Sequence, residues 1–284
     1  MILVFSREPE LAINGILLWL HSYRAGYIRI TENTRVEIED VQLEGHSCQL
    51  RLKIDGRQLC LDEIRSCWIY HGHLSLSNLR IDRQTYRRHA DTLVNALVRD
   101  VKTLLEFTKY LLEQTNCIGR FNEQNTNKLK YLHWAGQAGL QIPSSAVFAS
   151  RSALARYQKE QKRLITKSIQ DSAIIFHKGY YYLNYTERVM AAAIRKLPET
   201  FFPSFFQREF KKFADIRVFY LDGECYSMAI FSQQNKISAI DFRKYPSLPN
   251  RCVPFRLPPT CSAQVSAFMK QTGHRTGSLD FILT

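Results

Sequence analysis

The chain has 284 residues, 45% of them hydrophobic, and 39 basic residues against 26 acidic ones give it a formal net charge of +13. This length can bury a sizeable core and form two domains, and the positive balance favours anionic partners such as phosphates, acidic peptides, nucleic acid or membrane surfaces. Apolar runs such as residues 16–20 are far shorter than the ~20 residues that span a bilayer, so we expect no membrane partner. Seven cysteines without a CxxC pair are typical of reduced thiols and predict a cytoplasmic protein.

The first part of the chain predicts a small α/β domain. The motif His71-Gly72-His73 puts two histidines on one strand face, where they could hold a metal ion, although no third ligand is nearby in sequence. A domain boundary is expected after a long helix, with one domain at 1–115 and a second at 116–284. The predicted elements are strands at 2–5, 27–30 and 58–61, a helix at 11–23, a hairpin at 36–54, a turn at Asp55-Gly56 and the long helix at 83–112.

The second domain predicts further helices and hairpins. Its predicted elements are a helix at 127–140, a strand at 146–148, a helix capped by Ser150 or Ser152, a strand at 163–167, a hairpin at 173–185 that turns at Lys178-Gly179, and strands at 206–210, 216–221 and 225–231, the last two joined by Asp222-Gly223.

Two lysines in this domain are candidates for binding phosphate. Lys167 ends an apolar strand, where a desolvated ammonium is costly unless it is paired with an anion. Lys128 lies early in the preceding helix and would supply a second cation to the same triphosphate. The alternative for a single lysine of this kind is a strand-end side chain that extends to solvent.

The segment Gln207-Arg208-Glu209-Phe210 is the candidate adenine site. A strand of this kind can offer backbone N–H and C=O groups to an adenine edge, and Asp215 follows at a distance that suits hydrogen bonds to a ribose. The alternative is an ordinary amphipathic edge strand with a solvated basic end.

Further charged residues lie in or beside apolar strands, where charges are rarely left unpaired. One of Arg217 and Arg243 could bind the γ-phosphate or an acyl phosphate, because a guanidinium meets such oxygens bidentately. Asp280 is the natural ligand for Mg²⁺, which takes one or two carboxylates together with phosphate oxygens. Alternatively, Arg217, Asp241 and Arg243 form a structural network, and Asp280 pairs with Arg275 or Arg243.

The order Lys128, Lys167, Gln207, Asp215, Asp280 resembles the ATP-grasp superfamily. More narrowly, the chain resembles ATP-grasp peptide maturases, which install ester or amide crosslinks between side chains of ribosomal peptides (the graspetide, or grasp-with-spasm, ligases). The motifs that carry this resemblance are Met1-Ile2-Leu3-Val4-Phe5-Ser6, Asn127-Lys128-Leu129, Ala138-Gly139-Leu140-Gln141-Ile142-Pro143, Asp215-Ile216-Arg217-Val218, Asp241-Phe242-Arg243 and Thr276-Gly277-Ser278-Leu279-Asp280.

The resemblance implies an α/β fold in which a pre-ATP-grasp domain at 1–115 precedes an ATP-grasp domain at 116–284, with a lid lobe at about 128–205 and a C-terminal lobe at about 206–284. It implies ATP and Mg²⁺ as cofactors, an acidic precursor peptide as partner and no nucleic acid, and a homodimer is compatible with the family. Its residue roles are phosphate contact by Lys128 and Lys167, an adenine pocket at residues 207–210, ribose contact by Asp215, contact with the transferred phosphate and acyl group by Arg217 and Arg243, and the first Mg²⁺ ligand at Asp280.

The implied reaction is ATP-dependent activation of a substrate Asp or Glu carboxylate as an acyl phosphate, which a hydroxyl or an amine then attacks. Family members continue past the Asp280 position into a return strand with a Glu-x-Asn pair that completes the metal site, whereas this sequence ends at Thr284. Residues 68–72 also differ from relatives, which tend to carry a Trp followed by arginines. The alternatives are a nucleotide-binding or leader-peptide-binding protein without turnover and, from net charge alone, a nucleic-acid-binding protein.

Overall fold

The computed structural model describes residues 1–77, 91–121, 127–170, 174–183, 185–233 and 250–284. The chain divides into two compact units, Met1–Gln124 and Asn125–Thr284. The sequence-based boundary at 115/116 lies just before a strand, Asn116–Ile118, that pairs within the first unit.

The first unit contains a four-stranded parallel sheet in the order β2-β1-β6-β7. Three consecutive residues of β1, from Leu3 to Phe5, are fully buried, as expected for a parallel strand that is covered on both faces. The elements are β1 (Ile2–Ser6), α1 (Leu11–Ser22), β2 (Tyr27–Ile30), β6 (Ser66–Tyr70), α2 (Asp91–Glu113) and β7 (Asn116–Ile118).

An antiparallel three-stranded sheet completes the first unit. It consists of β3 (Val36–Glu44), β4 (Ser47–Ile54) and β5 (Arg57–Cys60). Alternate residues such as Leu50, Leu52 and Ile54 are buried and belong to the same core as Leu3 and Phe5, because side chains two positions apart on a strand share a face.

The second unit contains two four-stranded sheets. The first, called the β9 sheet, has the order β12-β9-β13-β8, and its strands are antiparallel. Its elements are β8 (Ser145–Ser150), α4 (Arg151–Gln161), β9 (Leu164–Lys167), β12 (Glu187–Val189), α5 (Ala191–Lys196) and β13 (Thr200–Arg208), and β10 (Ile174–His177) with β11 (Tyr180–Leu183) forms a separate hairpin. The Ser150 hydroxyl caps α4 by accepting from the Ala153 N–H.

The other sheet, called the β14 sheet, has the order β16-β15-β14-β17 and is antiparallel throughout. It consists of β14 (Ala214–Leu221), β15 (Glu224–Phe231), β16 (Arg251–Pro254) and β17 (Thr276–Leu283), with α6 (Pro259–Thr272) packed on one face. Helix α3 (Lys128–Gln137) packs against α6 through Tyr131 and Trp134. The contact joins a helix of the predicted lid lobe, α3, to a helix of the predicted C-terminal lobe, α6. The division into two lobes at 205/206 stays a prediction.

The predicted α/β class is confirmed, and most predicted elements are present. The strand predicted at 206–210 is wrong in its bounds, because β13 starts at Thr200 and ends at Arg208. Pro203 lies inside this strand, and a register shift between Thr200 and Ser204 accommodates it. Helix α6 was not predicted. The predicted helix at 83–112 is present from Asp91 to Glu113, and residues 83–90 lie outside the described part of the chain. Among the described residues, no helix is long and apolar enough to cross a membrane.

A glycine beside the parallel sheet gives the first testable prediction. Gly119 has φ +83°, and a Cβ built there would lie 2.2 Å from the Ile69 carbonyl oxygen, whereas Gly56 has φ +87° and open space around it. Gly56→Ala therefore tests backbone strain alone, and we expect it to lower the free energy of unfolding by about 1–2 kcal/mol. We expect Gly119→Ala to cost about 1–3 kcal/mol more because the backbone must also shift. Urea unfolding of both variants measures the difference, and equal midpoints would contradict the predicted close contact.

Candidate functional site

In the β9 sheet, two of the predicted nucleotide residues, Lys167 and Gln207, lie on the face opposite α4 and α5, whereas Arg208, the register partner of Leu164, lies on the helix-covered face. The register pairs Lys167 with Phe205 and Ile165 with Gln207, so Lys167 and Gln207 share a face with the Phe205 ring between them. On the opposite face, Leu164 and Phe206 pack against residues of α4 and α5. Because the apolar face is covered by helices, the polar residues at alternate positions are directed away from them.

The side chains of Lys167 and Gln207 are both held by protein contacts. The Lys167 Nζ lies 5.7 Å from the centroid of the Phe205 ring. The buried Gln207 amide donates from Nε2 to the Ser145 Oγ at 2.8 Å, and the Ser145 hydroxyl in turn donates to the Pro143 carbonyl. The sequence prediction did not include Ser145, which lies directly opposite Gln207 in the register.

Lys128 reaches the end of β9 from the first position of α3. Its Nζ donates to the carbonyl oxygens of Ser168 at 3.4 Å and Gln170 at 2.5 Å. Asn127 fixes the start of the helix by accepting from the Lys130 N–H. The structure thus brings Lys128 to the segment that directly follows Lys167, and phosphate contact by the two lysines stays a prediction.

A buried hydroxyl lies in this same segment. Within the described chain, Ser168 Oγ is a buried polar atom without a hydrogen-bond partner, a situation that costs about 1–3 kcal/mol. Such an atom fits a bound group that brings hydrogen-bond acceptors, as a phosphate does. The sequence prediction stopped at Lys167, although the adjacent serine was a visible signal.

The predicted adenine segment is anchored at both of its central residues. The backbone N–H groups of Arg208 and Glu209 donate to the carbonyls of Ser144 and Arg163, so an adenine contact at residues 207–210 has to use their other groups. The Glu209 carboxylate binds the Arg188 guanidinium, and this hydrogen bonding raises the pKa of Arg188 above its ordinary value.

The Arg208 guanidinium lies over the Phe210 ring at 5.1 Å. Together with the two anchored N–H groups, this contact makes residues 208–210 a fixed connection from β13 towards the β14 sheet.

Asp215 is buried at the start of β14 and belongs to a polar cluster. Both of its carboxylate oxygens accept from the Lys212 Nζ, at 2.9 and 2.7 Å, and one also accepts from the Ser232 hydroxyl at 3.0 Å. A buried carboxylate needs such partners. The role of Asp215 towards a ribose stays a prediction, and Lys212 is a charged residue of this region that the sequence analysis did not select.

Arg217 and Asp280 face each other across β14 and β17. They are direct register partners, and the guanidinium binds the carboxylate bidentately at 2.8 and 2.9 Å. Ile216 and Val218, at alternate positions, are buried in the core on the other face, so this pair lies on the face away from α6.

Of the two partners that the sequence offered for Asp280, Arg275 is wrong, and pairing with Arg243 stays a prediction. Arg275 pairs with Asp222 instead, and this contact lowers the pKa of the Asp222 carboxyl. Asp280 pairs with Arg217. The sequence alone could not identify this partner because it does not give the register between β14 and β17. Asp241 and Arg243 lie outside the described residues.

The role of Asp280 as a magnesium ligand stays a prediction. Its carboxylate is taken up by a guanidinium rather than joined by a second carboxylate. Among the described residues, one group of three candidate metal ligands lies within 4.8 Å of one another, Cys60, Asp62 and Glu63 of the first unit. That group includes neither Asp280 nor the two histidines of the His71-Gly72-His73 motif.

The buried Lys212–Asp215 pair gives a stability prediction. Lys212→Met leaves a carboxylate that is 12% exposed without its cation, so we expect a loss of about 3–5 kcal/mol in the free energy of unfolding. The double variant Lys212→Met/Asp215→Asn should recover part of this loss. Arg275→Met, which breaks the exposed pair with Asp222, is the matched control and should cost at most about 1 kcal/mol. Equal losses in the two single variants, measured by urea unfolding, would contradict the assignment.

Comparisons with known proteins identify the fold. No protein-family model matches the sequence, and no curated protein matches it. Among solved structures, a RiPP-associated ATP-grasp ligase of Chryseobacterium gregarium, in complex with ADP and a leader and core peptide, superposes with a TM-score of 0.78 at 16% identity, over 99% of this chain and 84% of that one.

Two further solved structures are similar to this chain over its whole length. The macrocyclase MdnC of Microcystis aeruginosa MRC, bound with precursor peptide MdnA, gives a TM-score of 0.72 at 20% identity, over 100% of this chain and 88% of that one. A D-alanine–D-alanine ligase of Bacillus anthracis gives 0.51 at 11% identity, over 100% and 82%. Likenesses at these identities establish the fold, and the chain therefore has the ATP-grasp fold that its sequence motifs predicted.

Proposed function

We propose that the chain binds ATP and activates a carboxylate of a peptide. The contact of the Lys128 ammonium with the segment that follows Lys167 is the observation that carries this proposal. Two cations and the Ser168 hydroxyl at one strand end are the groups that a chain of phosphates needs, because charge-assisted hydrogen bonds to phosphate oxygens are strong. The ATP-grasp fold supports the same nucleotide, since the similar Chryseobacterium ligase was solved with ADP.

The proposed nucleotide pose follows from this strand end. The phosphates lie by Lys128, Lys167 and Ser168. The base lies along residues 207–210, where the buried Gln207 amide is fixed by Ser145. The ribose lies towards Asp215, whose charge Lys212 already balances, so that its oxygens accept hydrogen bonds without adding a free negative charge near the phosphates.

The proposed reaction has two steps. A substrate Asp or Glu carboxylate oxygen attacks the γ-phosphorus, the bond from that phosphorus to the bridging oxygen breaks, and ADP leaves. A Ser or Thr hydroxyl or a Lys amine then attacks the acyl carbon, phosphate leaves with the carbon–oxygen electron pair, and the nucleophile's proton is lost. The net change is loss of one water from the peptide per crosslink. This chemistry needs positioning and charge neutralisation rather than a protein nucleophile.

Arg217 is the described residue that we assign to the substrate carboxylate and its acyl phosphate. Its guanidinium already binds one carboxylate bidentately, that of Asp280, and it is partly exposed on the helix-free face. A substrate carboxylate presents the same pair of oxygens. Arg243 is proposed for a related role from the sequence resemblance alone.

The peptide partner is proposed from charge and from the fold. The formal charge of +13 suits an acidic precursor peptide, and two similar structures contain leader or precursor peptides. Whether the crosslink is an ester or an amide depends on the peptide's nucleophile. Magnesium bound by Asp280 stays a prediction, and no step above depends on it.

A second candidate function is nucleotide or leader-peptide binding without turnover. The bidentate capture of Asp280 by Arg217 favours it, because this pairing engages both the predicted metal ligand and the predicted catalytic arginine. ADP formation in the presence of a peptide distinguishes the two functions, since the binding protein would form none.

The nucleotide site is tested by removing one lysine at a time. We expect Lys128→Met and Lys167→Met each to weaken ADP binding by about 10–100-fold, because each loses a charged contact worth about 1.5–3 kcal/mol. Binding of adenosine, which has no phosphate, should change little. Isothermal titration calorimetry measures both ligands.

Lys130→Met is the matched control for these lysine variants. It removes the same charge from the same helix, but the Lys130 Nζ lies over the Trp134 ring at 4.2 Å. If Lys130→Met weakens ADP binding as much as the other two variants, the effect is one of net charge and the phosphate assignment is wrong.

The reaction is tested with a precursor peptide encoded beside the gene, ATP and Mg²⁺. We expect the peptide to lose water by mass spectrometry, and added hydroxylamine should trap the acyl phosphate as a hydroxamate at an Asp or Glu. Arg217→Lys loses bidentate binding, so it should slow product formation at least about 10-fold while ADP affinity stays within about 2-fold. An unmodified peptide and no hydroxamate would contradict the ligase and leave the binding function.

A further inference from the structure

The helix-free face of the β14 sheet carries four large apolar side chains around the Arg217–Asp280 pair. Because alternate residues of a strand share a face, the register places these side chains on the same side as the pair. They are Phe219 (44% exposed), Tyr226 (59%), Met228 (42%) and Ile282 (43%). An exposed apolar patch of this kind marks an interaction site, and the ion pair within it requires a partner that is not purely apolar.

Two adjacent rows of this face differ in their chemistry. In one row, Met228, Arg217 and Asp280 are register partners across β15, β14 and β17, and the guanidinium binds the carboxylate bidentately. In the next row, Tyr226 and Phe219 are register partners, and their ring centroids are 6.5 Å apart. A guanidinium that binds a carboxylate therefore lies directly beside an exposed aromatic pair.

The proposed nucleotide pose indicates which ligand meets the aromatic pair. In that pose the ribose lies towards Asp215 and the reacting phosphate lies at Arg217, so the nucleotide follows β14 in the direction of the chain. Phe219 is the next residue of this face, about 7 Å further along the strand and on the side away from the ribose. The rings therefore lie beyond the nucleotide, where the peptide that carries the reacting carboxylate continues.

The mixed chemistry of the face selects the composition of that peptide. Arg217 binds a carboxylate through both of its oxygens, whereas Phe219, Tyr226 and Met228 are uncharged and gain from the burial of apolar area. A purely apolar partner would desolvate the Arg217–Asp280 pair without supplying a carboxylate, which is costly. An Asp or Glu with a large apolar neighbour supplies both groups, because side chains of an extended peptide repeat on one side at every second residue.

We propose that the aromatic pair Phe219–Tyr226 binds a large apolar side chain of the substrate peptide, located within two residues of the Asp or Glu that is activated at Arg217. This preference rests on the proposed function and adds to it a composition of the peptide beside the reacting carboxylate. Phe219 and Tyr226 are specificity-determining residues that bind the peptide and take no part in the chemistry. The sequence analysis selected charged residues and included neither ring.

Peptide kinetics test this preference. The precursor peptide encoded beside the gene is incubated with the full chain, ATP, Mg²⁺ and hydroxylamine, the activated carboxylate is located as its hydroxamate, and the nearest large apolar residue of the peptide is replaced by Ser. We expect KM for the Ser peptide to rise about 10-fold, with kcat within about 2-fold because the lost contact is made equally in the ground and transition states. Equal KM values, or a peptide without a large apolar residue this close to its activated carboxylate, would overturn the proposal.

Protein variants show whether these rings make the contact. Tyr226→Ser should reduce the KM ratio of the two peptides from about 10-fold to about 2-fold or less, because the contact is already lost from the protein, and Phe219→Ser should do the same. Tyr110→Ser is the matched control, since Tyr110 is 55% exposed and stacks on Phe107 with ring centroids 6.2 Å apart. The control should keep the wild-type ratio. A ratio that neither Tyr226→Ser nor Phe219→Ser lowers would assign the preference to another surface and overturn the proposal.

ADP affinity separates the two possible failures. Tyr226→Ser should bind ADP within about 2-fold of wild type, because its ring lies beyond the proposed nucleotide, and its urea unfolding should match that of Tyr110→Ser. If the wild type forms no hydroxamate, the proposed function fails and the peptide preference fails with it. If hydroxamate forms and the KM ratio does not depend on Tyr226 or Phe219, the ligase stands and the peptide preference alone is wrong.

Discussion

The antiparallel register between β9 and β13 is the constraint on which the site depends. By pairing Lys167 with Phe205 and Ile165 with Gln207, it puts a cation, an aromatic ring and a buried amide on one face of the sheet. A slip of β13 by one residue would move Phe205 and Gln207 to the face that packs on α4 and α5 and leave Lys167 without them. The apolar residues Leu164 and Phe206 prevent that slip, because their burial against the helices would be lost. The core of the sheet thereby fixes which groups are available to a ligand.

The β14 sheet follows the same arrangement with different chemistry. Its helix-covered face buries Ile216 and Val218, which leaves Asp215 and Arg217 on the opposite face. Their charges are balanced within the protein, by Lys212 and by Asp280. When a charged group of a ligand arrives, a side chain of such a pair can leave its partner in the protein and bind the ligand instead. This exchange needs little movement of the backbone. The buried pair of Asp215 is the more costly one to break, and the exposed pair of Arg217 is the more easily exchanged.

Much of the fold could be predicted from the sequence where a local pattern determines the structure. The β14–β15 hairpin follows from apolar alternation around Asp222-Gly223, and the start of α4 from the Ser150 cap. Helix α6 was missed even though Pro259 stands at its first position and Gly273 ends it in a left-handed conformation. The start of β13 was placed too late because Pro203 is unfavourable within a strand unless the register shifts.

The parts of the site that could not be predicted depend on contacts between distant residues. The order of Lys128, Lys167 and Gln207 along the chain could be recognised, but the contact of Lys128 with Ser168 and Gln170 joins residues 40 and 42 positions apart in the chain. The partner of Asp280 likewise needs the β14–β17 register. Local patterns identify the charged residues, and tertiary structure decides which of them meet.

The most direct measurement is a crystal structure of the chain with ADP bound. The phosphates should lie between Lys128 and Lys167, with Ser168 Oγ donating to a phosphate oxygen and the adenine along residues 207–210. A nucleotide bound on the faces that carry α4, α5 or α6, with Lys128 still held by the Ser168 and Gln170 carbonyls, would contradict the assignment of this site.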